Sequence, residues 1–157
     1  FVAVRDDIDV PPLKLAPTHR WISAGEATSD VQVLTAEEVI DTKLTPQYAS
    51  YWPHCVNGVT PKDVRKRTTG KDGCFTACRL DVAKPSPTLI SQEQHFFHWG
   101  ECRKLSYREW KRLGSFPDDY HAKTDKIGKY MIGMSVPPKM AEQVARAVCT
   151  QWLGVAP

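Results

Sequence analysis

The C-terminal end carries the pattern that most restricts this chain. Met140, Val144, Ala147, Val148 and Gln151 recur at the three- and four-residue spacing of one helical face with Trp152 beside them, and Lys139, Glu142, Gln143 and Arg146 take the other side. Ser135 is placed to cap this helix, and Pro137 and Pro138 fall in its first turn, where a missing N–H costs little. A helix with one apolar stripe is stable when the stripe is covered. The expected fold therefore includes a surface on which this helix docks.

Upstream, the elements are short and separated by prolines. Phe1-Val-Ala-Val-Arg5 reads as a buried strand, and a chain opening in mid-strand is expected to have lost N-terminal residues or to complete the sheet of another polypeptide. Pro11, Pro12 and Pro17 make an extended crossing through Leu13-Lys14-Leu15 toward Trp21. Thr35-Ala-Glu-Glu38 is a capping box that predicts a short helix. Thr45-Pro46 predicts a second, with Tyr48, Tyr51 and Trp52 on its apolar side and Pro53 ending or bending it. The run from Gly73 to Val82, after the turn-forming Lys71-Asp72-Gly73, alternates like a strand and predicts a twisted hairpin or small sheet. Pro85 and Pro87 then fix an extended loop as far as Ile90. Ser106-Tyr-Arg-Glu109 is another capping box, opening a helix through Trp110 and Leu113 that stops near Gly114. Phe116 to Tyr120 is a turn, and a short helix from Lys126 to Met131 follows, broken by Gly133.

At 157 residues, 41% hydrophobic and 25% charged, the chain is long enough for a real core and too apolar to be disordered. It has no apolar run near the roughly 20 residues of a membrane span. No charged-then-apolar leader opens it, so a soluble, unexported, cytoplasmic protein with reduced thiols is expected. The odd number of cysteines, five, agrees. Cys74, Cys78, His95, His98 and Cys102 offer zinc-binding atoms, but Cys-x3-Cys and His-x2-His lie outside the common ligand spacings, and no metal is expected. Cys55 and Cys149 read as packing residues. A formal charge of +3 is too mild to identify a nucleic-acid partner, and its distribution says more. Every ionised residue from Glu26 to Asp41 is acidic, whereas Lys62, Arg65, Lys66, Arg67, Lys71 and Arg79 dominate the following stretch. That basic segment is either a solvated face or a phosphate-neutralising one.

Two blocks are far more specific. Arg103-Lys-Leu-Ser-Tyr-Arg-Glu109-Trp-Lys-Arg-Leu113-Gly-Ser-Phe-Pro117-Asp118-Asp-Tyr120 resembles the ninth motif of DNA cytosine-5 methyltransferases, and Ile132-Gly133-Met134-Ser135-Val136-Pro137-Pro138, with the helix behind it, resembles their tenth. Pro85-Ser-Pro87-Thr88-Leu89 is similar to the Pro-x-Pro-Thr-aliphatic signature near the end of their target-recognition domain, and Phe1 to Asp7 to the strand after their eighth motif. Residues 20–75 match nothing specific. The resemblance implies an α+β chain. Residues 1–19 would end the catalytic domain and link it to a small, irregular, β-rich target-recognition domain, 20–102. Residues 103–133 would be the ninth motif and hinge, and 134–157 an amphipathic helix packing on a Rossmann-like methyltransferase domain absent from this sequence.

Such enzymes clasp double-stranded DNA, flip the target cytosine out, attack its C6 with a cysteine thiolate and transfer a methyl group from S-adenosylmethionine to C5. The resemblance implies that Thr88 and Leu89 lie close to the displaced base and that Arg65, Lys66, Arg67, Lys71 and Arg79 touch phosphates or bases. It gives Arg103, Glu109, Pro117 and Asp118 a structural role at the hinge, and sets Met134, Ser135 and Val136 beside the cofactor. Met134 stands where most relatives have Asn, which leaves the backbone to contribute there. The chain has no Pro-Cys dipeptide, no Glu-Asn-Val and no Phe-x-Gly-x-Gly, and the surroundings of Cys55 do not match those of the nucleophile. The catalytic machinery is therefore expected on a partner catalytic domain or subunit, and this chain alone is not expected to methylate. The small subunit of a split enzyme and a stand-alone DNA-binding or regulatory protein are the alternatives. The Met-Ser-Val-Pro-Pro form of the closing block resembles phage-type members, consistent with a bacterial or phage-encoded protein.

Overall fold

The computed structural model describes residues 3–16, 20–31, 33–56, 59–72, 77–93 and 96–155, and the chain divides into two units, one of residues 1–20 with 136–157 and one of 21–135. In the larger unit, side-chain caps set the helices. Ser23, Thr35, Thr45 and Thr60 each accept a hydrogen bond from a first-turn N–H of the helix that follows: α1 (Ala24–Ala27), α2 (Ala36–Asp41), α3 (Pro46–Tyr51) and α4 (Pro61–Thr69). Pro53 shortens the continuation of α3 to a 3-10 turn, Trp52–His54. The helix α4 ends on Gly70 at φ 68°, a left-handed conformation that glycine reaches without steric cost.

Only two short strands follow, β1 (Cys78–Arg79) and β2 (Phe96–Phe97), paired in parallel with Cys78 opposite Phe96. Isolated antiparallel bridges, Phe97 with Lys104 and Lys43 with Arg103, extend the pairing. The unit is α+β, as expected, but helical rather than β-rich among its described residues. Four capped helices use up the segment before the sheet begins. Nor is the sheet a hairpin: β1 pairs across the proline loop with β2, and residues 73–76 lie outside the described residues.

The sheet separates two apolar clusters because successive side chains of a strand point to opposite faces. Phe96 joins Ala24, Leu80, Leu105, Tyr107, Trp110 and Ile132; Phe97 joins Leu44, Cys55, Val64 and Ala77. Phe96 meets Trp110 edge-on at 5.7 Å, and Tyr48 meets Phe97 in the same way at 5.7 Å. The helix α5 (Tyr107–Leu113) begins at the capping box of Ser106 and Glu109, and α6 (Asp125–Met134) runs straight through Gly133. Gly133 is thus no helix breaker. Its missing Cβ admits the backbone of Ile90, whose carbonyl carbon would lie 2.2 Å from such an atom.

The smaller unit contains α7 (Pro138–Trp152), the expected amphipathic helix. Ser135 does not cap it: its hydroxyl donates to the Met131 carbonyl at 2.6 Å and closes α6 instead, leaving Pro137 as an N-cap without a side-chain bond. Residues 11–16 belong to no helix or strand, Pro17 of the expected crossing lies outside the described residues, and the last turn of α7 holds Pro11 and Lys14. The Lys14 N–H donates to Gln151 Oε1 at 2.9 Å, Gln151 Nε2 donates to the Lys14 carbonyl at 2.8 Å, and Trp152 Nε1 donates to the Pro11 carbonyl at 2.8 Å. Phe1 and Val2 lie outside the described residues, and residues 3–5 carry no strand. No described side chain of this unit is buried. No helix among the described residues is long and apolar enough to cross a membrane.

Candidate nucleic-acid interface

The scaffold of the candidate site is α5. Arg103 donates to Glu109 through both terminal nitrogens, Nη1 to Oε2 and Nη2 to Oε1, each at 2.8 Å. Glu109 is 1% exposed and also accepts the Ser106 N–H at 2.7 Å. Arg103 adds bonds to Glu101 at 2.6 Å and to the Lys104 carbonyl at 3.0 Å. His98 stands beside the pair, its Nε2 3.6 Å from Glu109 Oε1. Its Nδ1 accepts the N–H groups of Gly100 and Glu101, so the ring proton of neutral His98 sits on Nε2. Burial, then the Arg103 charge, holds this imidazole below its ordinary pKa.

Two further arginines of α5 engage the acidic stretch 26–41. Arg108 binds Glu38 through Nε and Nη2, at 2.8 and 2.7 Å, and the Val33 carbonyl at 2.6 Å; Arg112 binds Asp30 at 2.6 Å and also pairs with Asp118. The Arg108 hydrogen bonds hold the Glu38 carboxyl below its usual range, and those of Arg112 do the same for Asp30 and Asp118. Pro117 and Asp118 lie in the exposed turn after α5, where the Asp118 carbonyl accepts Lys111 Nζ at 2.6 Å.

This scaffold borders the loop 81–92. The loop is held by the Gly25 N–H on the Val82 carbonyl at 3.0 Å, the Ala24 N–H on the Lys84 carbonyl at 2.8 Å, and the seating of Ile90 on Gly133. Leu89 packs against the Trp110 cluster, and Thr88 is exposed. A loop whose backbone is pinned on both sides presents Thr88 in a fixed place. A cavity of about 490 Å³ opens beside it, lined in part by Arg79, Leu80, Pro85, Pro87 and Trp99.

The basic residues divide into two kinds. Lys66 and Arg67, with Lys62, are exposed on α4, and Lys71 is exposed just beyond it; Arg65 is half-buried. Their helix turns Pro61 and Val64 inward. Arg79 is different. Its guanidinium lies 3.8 Å over the Trp52 ring and donates to the Trp99 carbonyl from Nε at 2.8 Å and from Nη2. It is engaged in packing, whereas Lys62, Lys66 and Arg67 are exposed and Lys66 lies 3.6 Å from Asp72.

Met134 and Ser135 close the larger unit and Val136 begins the second segment of the smaller one; all three are exposed. Of the cysteines, Cys55 is buried and Cys149 half-buried, and burial pushes the half-buried Cys78 thiol upward in pKa. Cys74 and His95 lie outside the described residues, among which no three His, Cys, Asp or Glu side chains gather around a metal position. Sequence reasoning missed Lys129, fully buried between Asp41 and Glu93. The signal available was a run of uncompensated acids at 26–41 that required cations from elsewhere in the chain.

The model of the C-5 cytosine-specific DNA methylase family matches residues 17–150. Type II methyltransferase M.BbvI of Brevibacillus brevis is 30% identical over 164 aligned residues, covering 94% of this chain and 42% of the relative. Type II methyltransferase M.AquIB of Picosynechococcus sp. is 37% identical over 90 residues, 49% of this chain and 65% of the relative. Type II methyltransferase M1.HphI of Haemophilus parahaemolyticus is 38% identical over 71 residues, 45% of this chain and 19% of the relative. The chain thus spans less than two thirds of these relatives, and no solved structure matches it. With the family model matching most of its length, the chain belongs to the C-5 cytosine-specific DNA methylase family.

Proposed function

We propose that this chain is the target-recognition and closing portion of a cytosine-5 DNA methyltransferase. It would act with a catalytic domain that carries the nucleophile and most of the S-adenosylmethionine site. One contrast carries the reading. The 21–135 unit has two apolar clusters of its own, whereas the unit with α7 buries no described side chain: of the apolar stripe, Met140 is 59% exposed and Val144, Ala147 and Val148 are no more than half-buried. An apolar helical face of that kind is stable against a covering surface, and the catalytic lobe is the surface the family provides. The proposed division is 1–19, 20–102, 103–133 and 134–157.

In this reading Lys66, Arg67 and Lys71 neutralise DNA phosphates and release counterions, with Arg65 beside them. Arg79 orders Trp52 and Trp99 rather than reaching freely for the duplex. Thr88, on its pinned loop, meets the displaced cytosine, and Leu89 anchors that loop in the core. Arg103 and Glu109 hold the loop's scaffold rigid, and Asp118 tethers the following turn to Arg112. S-adenosylmethionine supplies the methyl group when bound. The resemblance sets Met134, Ser135 and Val136 beside the cofactor; Met134 is exposed at the end of α6, and the Ser135 hydroxyl is turned back to the Met131 carbonyl.

The coding DNA upstream of Phe1 tests this directly. It should encode Pro-Cys and Glu-Asn-Val motifs, in frame for one enzyme or in an adjacent frame for two subunits; finding neither overturns the reading. One observation favours the two-subunit form. The 90 aligned residues of M.AquIB make up 65% of it, so that relative is itself only about 140 residues long.

A further inference from the structure

Lys129 is a fully buried lysine to which the family resemblance gives no part. Its Nζ donates to Asp41 Oδ2 at 2.8 Å and to Glu93 Oε2 at 3.2 Å, and the other Glu93 oxygen accepts Lys104 Nζ at 3.0 Å. Three segments meet at this ammonium: α2 through Asp41, α6 through Lys129, and the end of the proline loop through Glu93. Burying an ammonium is costly, and apolar side chains of similar volume often serve stability as well or better. What the charged arrangement adds is direction, because a small slide of α6 leaves a buried charge unpaired.

A second contact on the same face of α6 fixes the same register. Gly133 lies four residues beyond Lys129, one turn along the helix. A Cβ at Gly133 would come within 2.2 Å of the Ile90 carbonyl carbon and 2.4 Å of the Ser91 nitrogen. The helix is therefore keyed into residues 90–93 at two points. On the loop, these points follow Thr88 and Leu89 directly; on α6, they precede Met134 and Ser135.

We propose that Lys129 is a positioning residue for methyl transfer: gripped between Asp41 and Glu93, it sets the register of α6 against the 88–93 loop and so the span between the base-facing Thr88 and the cofactor-facing end of α6. The inference rests on the roles given above to Thr88, Leu89 and Met134. Lys129 itself touches neither base nor cofactor.

The test is Lys129→Met, which keeps an unbranched side chain one atom shorter and removes the charge, in the protein assembled with its catalytic domain. The expected result is a fall in kcat of tenfold or more with the KM for DNA within twofold of the parent, because the cations of α4 are untouched. In parallel, amide exchange at residues 89–93 should quicken about tenfold while α3 and α4 keep their protection. Glu93→Gln, which keeps the shape of the loop, guards against a simple failure to fold and should reproduce both effects more weakly. A kcat within twofold of the parent in both variants overturns the proposal, whether or not exchange changes. So does a loss confined to the KM for DNA, or one that merely follows the folded fraction. Failure of the underlying reading appears separately, as a Thr88→Ala, Leu89→Ala variant with unaltered kinetics and site preference.

Discussion

Glu109→Ala is the sharpest test of the scaffold. The substitution removes the two Glu109 oxygens that accept from the Arg103 guanidinium and the acceptor of the Ser106 N–H; Glu109, Arg103 and Ser106 are 1%, 9% and 0% exposed. Breaking a buried ion pair from one side costs about 3–5 kcal/mol, and a newly orphaned buried N–H adds about 1 kcal/mol. Glu101, which still binds Arg103 but is mostly exposed, keeps the loss toward the lower end. A unit of the size of 21–135 loses about 4 °C of Tm per kcal/mol. The expected fall is therefore about 15–20 °C, read by circular dichroism in thermal melts and converted from urea midpoints. Arg103→Met with Glu109→Leu should recover more than half of the loss, since no charge is then stranded. A Glu109→Ala variant within about 1 kcal/mol of the parent, the usual worth of a surface pair, would refute the reasoning. A double variant no better than the single one would do the same.

Four further outcomes follow from the same geometry. Gly133→Ala sets a Cβ into the Ile90 backbone and should destabilise the 21–135 unit by about 1–3 kcal/mol in urea unfolding, the usual range for overpacking; unchanged stability would mean that the loop yields freely. Arg67→Ala with Lys71→Ala should weaken DNA binding equally for all sequences and make the slope of log K against log salt shallower by about 2, whereas an effect limited to one DNA sequence would give them a base-reading role. The neutral imidazole of His98 is favoured by burial and by Arg103, so its folded pKa lies below the ordinary 6.5. Its contribution is complete above pH 6.5 and is lost as the pH falls through the folded value, and His98→Asn should flatten that part of a stability-versus-pH curve. Burial alone would raise the carboxyls of Asp41 and Glu93, yet Lys129 and Lys104 hold both below their ordinary values of 3.8 and 4.5. Their contribution is complete above those values and is lost as the pH falls further, so Lys129→Met should show a shallower acid loss than the parent in urea titrations.

Local chemistry made much of this fold legible. The capping boxes at Thr35 and Ser106, the Thr45-Pro46 start and the stripe of α7 each act within a turn or two of chain, and each element formed where its signal lies. The same signal was present at Thr60-Pro61-Lys-Asp63, but the density of cations there read as a charged face rather than as a helix. What could not be read locally depends on distant partners. The pairing of Cys78 with Phe96 has no local determinant, and Gly133 looks like a breaker until Ile90 is brought against it. Ser135 had two helices to choose between, and its own preceding turn was nearer. Asp30, Glu38 and Asp41 are counter-charges of α5 and α6, which only the tertiary fold discloses. Thr88 and Leu89 are singled out by family pattern alone, and no periodicity marks them.

The Gln151 side chain completes both hydrogen bonds of Lys14, a residue 137 positions earlier, and so ties the end of the chain to its beginning. The 21–135 unit is then topologically an insertion, entering and leaving between two segments of one smaller unit. Such an arrangement is modular. One continuous exchange between residues 20 and 136 would replace the whole larger unit while leaving intact the hydrogen bonds that tie Lys14 to Gln151.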